Sequence, residues 1–167
     1  MSSSTTTITS IQQDENEDTT ICFQTPNCDG SSDNPKTKTV LIVLNTPITP
    51  RASPNFERMW HLSRERICAD GGANRLHNFN SSYIPDRIRG DLDSLQDDVK
   101  AFYASKGVSI EKDPCQDTND LDKALQVCLD NEDNNDNSAS PPPRVIVYGA
   151  FGGRFDQEMA MRKRVHG

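Results

Sequence analysis

The run TVLIVLN, Thr39 to Asn45, places five consecutive branched apolar residues between a threonine and an asparagine. An unbroken apolar stretch of this length and β-branched content reads as a strand buried on both faces. Such strands belong to parallel sheets covered by helices on either side. Working outward, PNFERMWHLSRE follows at 54–65, with Phe56, Met59 and Trp60 at helical spacing and Leu62 as a further candidate for the apolar face. The alternation then recurs. RICAD (66–70) leads into the Gly-Gly turn and short helix of GGANRLHNF (71–79), and RIRG (87–90) is a third strand. Ser94 stands where it can cap LQDDVKAFYASKG, with Asp97 in the capping-box position. Val99, Phe102 and Tyr103 form that helix's apolar face, and Gly107 stops it. VSIEKD (108–113) is the next strand. TNDLDKALQVCLDN then puts Leu121, Ala124, Leu125 and Cys128 on one helical face. RVIVYG (144–149) is the fifth strand, and AFGGRFDQEMA (150–160) is a glycine turn opening into a helix.

Five strand–helix alternations predict an α/β domain, a mostly parallel sheet flanked by helices in a Rossmann-like three-layer arrangement. Its expected span is 39–160. Residues 1–38, rich in Ser, Thr, Asp and Asn and without periodicity, are expected to form a disordered acidic and polar tail. Residues 130–143, DNEDNNDNSASPPP, read as a disordered surface loop, since three prolines forbid a helix there. Of the formal charge of −7, the tail and the loop carry −4 each, leaving the rest of the chain at +1. That balance is no nucleic-acid footprint. The N-terminus lacks the apolar core of a secretory signal and is too acidic for a transit peptide, and no run has the length of a membrane span. Five cysteines, with no CxxC pair, read as reduced thiols, Cys68 and Cys128 buried and inert. A soluble cytoplasmic protein is the expectation.

In open parallel sheets, ligands bind at the carboxyl ends of the strands. That rule selects Asp70–Asn74, Gly90–Ser94, Asp113–Asp120 and Gly149–Asp156, all rich in Gly, Asp or Asn. In GDLDS, the carboxylates of Asp91 and Asp93 share one face if the backbone stays extended. Mg²⁺ prefers oxygen and takes one or two carboxylates together with substrate phosphates, so the pair suits it. The alternative is that Asp91 ends a strand while Asp93 or Ser94 caps a helix. In QDTND, Asp117 or Thr118 can serve as a cap, which leaves Asp120 as a candidate third ligand. In GAFGGRFD, Gly152 and Gly153 let backbone amides approach phosphate oxygens, and Arg154 can fork onto phosphate. ADGGAN is a second such turn, where Asp70 can hydrogen-bond a hydroxyl or the turn itself. His61, His77 and His166 form no catalytic set, and no zinc-ligand spacing is present. Together the acids, glycine turns and arginine suit Mg²⁺-dependent phosphoryl or pyrophosphoryl transfer.

Taken in order, CADGGANRLHN, RGDLDS, QDTNDLDKAL and YGAFGGRFDQEMA closely resemble the thiamine pyrophosphokinase family over roughly 39–160. The resemblance implies transfer of the pyrophosphoryl group of ATP to thiamine, giving thiamine diphosphate and AMP, with magnesium and as a homodimer. It implies catalytic roles for Asp91, Asp93, Asp120, Arg154 and Asp156, the first three as metal ligands. It implies a nucleotide region lined by Asp70, Gly71, Gly72, Asn74, Gln116, Asp117, Gly152 and Gly153. The family carries a second, β-rich domain that helps build the dimer and the thiamine pocket. Here the sequence ends in a basic tail at 161–167, MRKRVHG, and reads as a form truncated before that domain. The alternatives are a non-catalytic nucleotide-binding fragment, a chain that interferes with the full-length dimer, and a generic α/β binder of phosphates or sugar nucleotides.

Overall fold

The computed structural model describes residues 20–23, 39–114, 120–130 and 144–150. The TVLIVLN run forms β2 (Thr39–Val43), at the interior of a six-stranded sheet ordered β1-β6-β2-β3-β4-β5. Its neighbours are β3 (Glu65–Ala69) and β6 (Arg144–Tyr148), both parallel to it. β4 (Arg87–Gly90) and β5 (Ser109–Lys112) continue the parallel set outward. All five strands expected from the sequence are present, as is the α/β class.

Helices α1 (Ser53–Leu62), α2 (Gly72–Phe79) and α3 (Asp97–Ser105) connect β2 through β5, each step moving the chain one strand in the same direction. After β5, α4 (Asp120–Asp130) carries the chain back to β6 on the far side of β2. Right-handed crossovers require helices on opposite faces when the direction of travel reverses. The side chains follow this rule. Leu41, Val43, Cys68, Ile88 and Ile146 pack with Phe56, Trp60, Leu76, Val99 and Tyr103 of α1–α3. Val40, Ile42, Ile67, Ala69 and Val147 pack with Leu121, Ala124 and Leu125 of α4. Alternate residues of β2 thus enter opposite layers, and each buried Leu, Ile or Val contributes roughly 1.5–3 kcal/mol. Cys68 is a free, buried thiol; burial pushes its pKa up and leaves it inert, as expected. The side chain of Cys128 lies outside the described residues.

Four findings differ from the sequence expectations. Thr20–Phe23, inside the segment expected to be without structure, forms β1, antiparallel to β6 with Thr20 opposite Tyr148 and Phe23 opposite Val145. β6 would otherwise present an open edge, and a short strand there pairs its backbone groups. Leu62 is 63% exposed. The α1 face continues from Phe56 and Trp60 to Ser63, whose hydroxyl donates to the Met59 carbonyl at 2.7 Å, so Leu62 falls on the solvent side. α3 begins at Asp97 with Gln96 before it, and no side chain caps it. Ser94 is held elsewhere, as described below. The backbone between Asp91 and Asp93 is not extended, because Leu92 adopts a left-handed conformation with φ of 64°. Gly107 does end α3, at φ of 80°, with the Val108 amide returning to the Tyr103 carbonyl. The expected loop is outside the described residues from 131 to 143, as are residues 1–19, 24–38 and 151–167.

Candidate functional site

The carboxyl ends of β3 and β4 are joined by a small network of hydrogen bonds. β3 ends at Ala69, and Asp70 turns the chain with φ of 42° into the first turn of α2. The Asp70 amide donates to the Arg89 carbonyl at 3.0 Å, continuing the β3–β4 ladder by one bond. Across that ladder stands Gly90, where an added Cβ would come within 2.8 Å of the Asp70 Cβ. Glycine at 90 therefore lets the two strand ends approach closely enough for Asp70 to reach the loop after β4. There, Asp70 Oδ2 accepts a hydrogen bond from the Ser94 amide at 3.2 Å. Asn74, on the first turn of α2, donates from Nδ2 to the Ser94 carbonyl at 2.7 Å and accepts at Oδ1 from the Gln96 amide at 3.1 Å. Both residues are buried. They fix the backbone of 94–96, which is why Ser94 does not serve as the cap of α3.

The loop so fixed carries Asp91 and Asp93. Asp91 Oδ1 accepts from the Asp93 amide at 3.1 Å, which closes a turn through the left-handed Leu92. Asp91 is half-buried and Asp93 exposed. The turn uses one oxygen of Asp91 and leaves Oδ2 directed at α4, where Lys123 Nζ lies 4.0 Å away. Asp120 opens α4, three residues before Lys123 and so on a neighbouring part of its surface. Among the described residues, no group of three His, Cys, Asp or Glu side chains is placed to hold a metal ion together. The donors that are present fit Mg²⁺ as a site of two carboxylates completed by phosphate oxygens. A second feature of the same edge supports a polar ligand: Asp70 Oδ1 is buried and has no hydrogen-bond partner among the described residues.

The structure brings Asp70, Gly71, Gly72, Asn74, Asp91 and Asp93 to one edge, with α4 and Asp120 beside it. Gln116, Asp117, Gly152, Gly153, Arg154 and Asp156 lie outside the described residues. Gly71 and Gly72 have a packing reason to be glycine. A Cβ on Gly71 would strike the Asn45 side chain, and one on Gly72 would strike the Val43 carbonyl. Asn74 has both of its polar atoms committed to the acid loop.

Sequence reasoning passed over three residues at this edge. Asn45, at the end of the β2 run, accepts from Arg75 Nε at 2.8 Å and packs on Gly71. Thr46 donates from Oγ1 to the Gly149 carbonyl at 3.0 Å, tying the ends of β2 and β6 where the strand order reverses. Lys123 is only 3% exposed. The available signal for Lys123 was its i, i+3 spacing from Asp120; a lysine flanking an apolar stripe reads more simply as solvated.

The family model for the thiamin pyrophosphokinase catalytic domain matches residues 56–166. The chain is similar to thiamine pyrophosphokinase 2 of Oryza sativa subsp. japonica, at 37% identity over 156 residues, covering 83% of this chain and 54% of the relative. Thiamine pyrophosphokinase 1 of Arabidopsis thaliana is 36% identical over 145 residues, 78% of this chain and 51% of the relative. Among solved structures, thiamin pyrophosphokinase from Candida albicans superposes with a TM-score of 0.61 at 32% identity, covering 77% of this chain and 53% of that one. The chain spans about half the length of the curated relatives it matches. Among the described residues, no helix is long and apolar enough to cross a membrane.

Proposed function

The chain belongs to the thiamine pyrophosphokinase family, and from that premise we propose that it supplies the catalytic α/β domain, 39–160, for transfer of the pyrophosphoryl group of ATP to the hydroxyethyl oxygen of thiamine. The bond formed is from that oxygen to the β-phosphorus of ATP, the bond broken joins the α,β-bridging oxygen to the same phosphorus, AMP leaves, and the hydroxyl gives up its proton. The observation that carries this reading is the loop after β4. Its two aspartates sit at the carboxyl edge of a parallel sheet, and buried side chains of the neighbouring turn fix the backbone that follows them.

Asp91 and Asp93 are assigned to Mg²⁺, with Asp120 as the third acid. Mg²⁺ held there would offset the charge of the phosphates, which is most of what this chemistry asks of its site. The remaining work falls to the protein. Asp70 and Asn74 set the position of the acid loop, so that its carboxylates need not reorganise when ligand arrives. Arg154 is assigned to the transferring group, with Asp156 beside it. Gln116, Asp117 and the amides of Gly152 and Gly153 are assigned to the nucleotide. A homodimer and a cytoplasmic setting belong to the same proposal, supported by the resemblance to the family.

The test is AMP formation from ATP, with and without thiamine and Mg²⁺, using this chain and a longer version carrying the rest of the family's length. Thiamine-dependent AMP release that stops when Mg²⁺ is chelated is the expected result. ATP binding with no response to thiamine in either version would instead fit a nucleotide-binding role without transfer.

A further inference from the structure

Two non-glycine residues among those described have a left-handed backbone, Asp70 and Leu92. Aspartate is one of the few residues that visit that region routinely. Leucine is not. At φ of 64° its Cβ crowds the following carbonyl, a strain that glycine in the same place would avoid. Such a backbone persists only where its surroundings hold it, and strained residues of this kind gather at functional sites. Here the side chain supplies the hold. Leu92 packs, partly buried, on the apolar layer under α1–α3, the layer that Leu95 enters three residues later. Apolar anchors therefore flank Asp93, which stays exposed. Asp91 faces the other way, toward α4. The left-handed step between the two acids lets the Asp93 amide turn back to Asp91 Oδ1 at 3.1 Å, and that bond holds the Asp91 carboxylate in place.

We infer that Leu92 is a positioning residue for a divalent cation: anchored in the α1–α3 layer, it holds the backbone step that sets Asp91 and Asp93 in place. This rests on the proposed assignment of the two acids to Mg²⁺, and it adds a residue that touches no ligand itself. The anchor explains why leucine, and not glycine, occupies a left-handed position. Glycine would relieve the strain, but it would also leave the loop free to sample other conformations. Leucine accepts the strain and fixes the loop, so its carboxylates are already arranged when a cation and its phosphates arrive. Residues that orient metal ligands from behind act in this way. The competing role is plain packing, in which Leu92 adds stability and the acids find their places without it. The two roles separate because packing predicts lost stability with an unaltered response to Mg²⁺.

The experiment is calorimetric titration of the full chain with ATP, once in Mg²⁺ and once in a chelator, for wild type, Leu92→Met, Leu92→Ala, Leu92→Gly and Asp93→Asn. The ratio of the two affinities reports the cation site. Loss of a residue that orients metal ligands typically costs about 10- to 100-fold in metal affinity, so the ratio should fall about tenfold or more in Leu92→Ala and Leu92→Gly. Leu92→Met keeps an apolar side chain of similar volume and should stay within about threefold of wild type. Affinity in the chelator should be the same in all five. Melting temperature without ligand gives a second reading. Leu92→Gly loses the anchor but also the strain, so it should melt at or above Leu92→Ala while its Mg²⁺ response falls as far. A wild-type ratio in Leu92→Ala or Leu92→Gly overturns the inference, as does a loss in Leu92→Met as deep as in Leu92→Ala. If Asp93→Asn alone loses the Mg²⁺ response, the acids keep the cation and Leu92 is packing only. A wild type whose ATP affinity ignores Mg²⁺ removes the reading of the acids and this inference with it. A ratio lost in Leu92→Ala, with no thiamine-dependent AMP release in any form, would leave Leu92 in its role and remove thiamine as acceptor.

Discussion

Two clusters of charge lie on neighbouring strands, and they are built on opposite principles. Along β4 and β5, Arg87 bridges Glu65 and Glu111, each at 3.1 Å, while Arg89 bridges Glu111 at 3.0 Å and Asp113 at 3.2 Å. Every carboxylate in that ladder meets a guanidinium, and the side chains remain a fifth to a third exposed. At the carboxyl edge of β3 and β4 the opposite holds. Asp70 is buried with one oxygen lacking a partner, Asp91 offers an oxygen to a lysine too distant to bond it, and Lys123 has no hydrogen bond among the described residues. The ladder pairs each of its carboxylates and ties β3, β4 and β5 together, although Arg89 Nε is buried without a hydrogen-bond partner among the described residues. The edge leaves buried polar groups that a ligand would satisfy, and incomplete pairing of this kind is a stronger pointer to function than the presence of charge.

The sharpest way to break this contrast is to neutralise one acid in each cluster. Asp93→Asn should lower AMP formation from ATP and thiamine by about 10²- to 10³-fold, the scale of losing one principal electrostatic contact in a transfer site. Because Asp93 is exposed and its side chain makes no hydrogen bond or ion pair among the described residues, the variant's melting temperature should stay within error of wild type. A variant retaining wild-type turnover would remove Asp93 from the proposed metal pair. The equivalent change in the ladder, Glu111→Gln, should leave turnover untouched.

Next in size is the link between the two strand ends. Asn74→Ala removes two hydrogen bonds and leaves the Ser94 carbonyl and Gln96 amide without their partner, a loss of about 1–3 kcal/mol. Gly90→Ala places a methyl group against Asp70 and should cost about 1–3 kcal/mol through overpacking. Chemical denaturation reads both. If the turn after β3 positions the acid loop, both variants should also weaken Mg²⁺-dependent nucleotide binding, whereas a stabilising but remote contact would alter the denaturation midpoint alone.

What the sequence disclosed follows from how local each signal is. The β2 run declares burial on both faces by itself, and the strand–helix alternation then forces a parallel sheet and a carboxyl edge, so the position of the site was legible. The conformation of its loop was not. Capping-box spacing at Ser94 and Asp97 is real, yet Asp70 and Asn74, 24 and 20 residues before Ser94, take the backbone that the cap would need. The left-handed turn at Leu92 is equally hidden, since nothing in a leucine announces it. β1 has four residues inside a polar segment, and its partner is an edge created only when β6 arrives. Lys123 reads as solvated because helical periodicity reports which face is apolar, and cannot report that β4 ends in a carboxylate opposite that face.

The smallest expected effect tests the ion-pair ladder. Burial raises the Glu111 carboxyl's pKa, but hydrogen bonds from Ser109 and Arg89 and the charges of Arg87 and Arg89 outweigh it, so the pKa sits below its ordinary value. A carboxylate with a depressed folded-state pKa contributes stability that is full above the unfolded value of about 4.3 and is lost as pH falls through the folded value. The ladder is partly exposed and open to solvent screening, which limits the contribution to about 1 kcal/mol or less. Glu111→Gln should therefore melt slightly below wild type at pH 7, and the gap should close as the pH is taken below about 4. Raising the salt concentration should close it as well, because exposed ion pairs are screened. A gap that persists at low pH and high salt would mean that Glu111 acts through its shape and hydrogen bonds to Arg87 and Arg89 with little help from its charge, and the two clusters would then differ less than their pairing suggests.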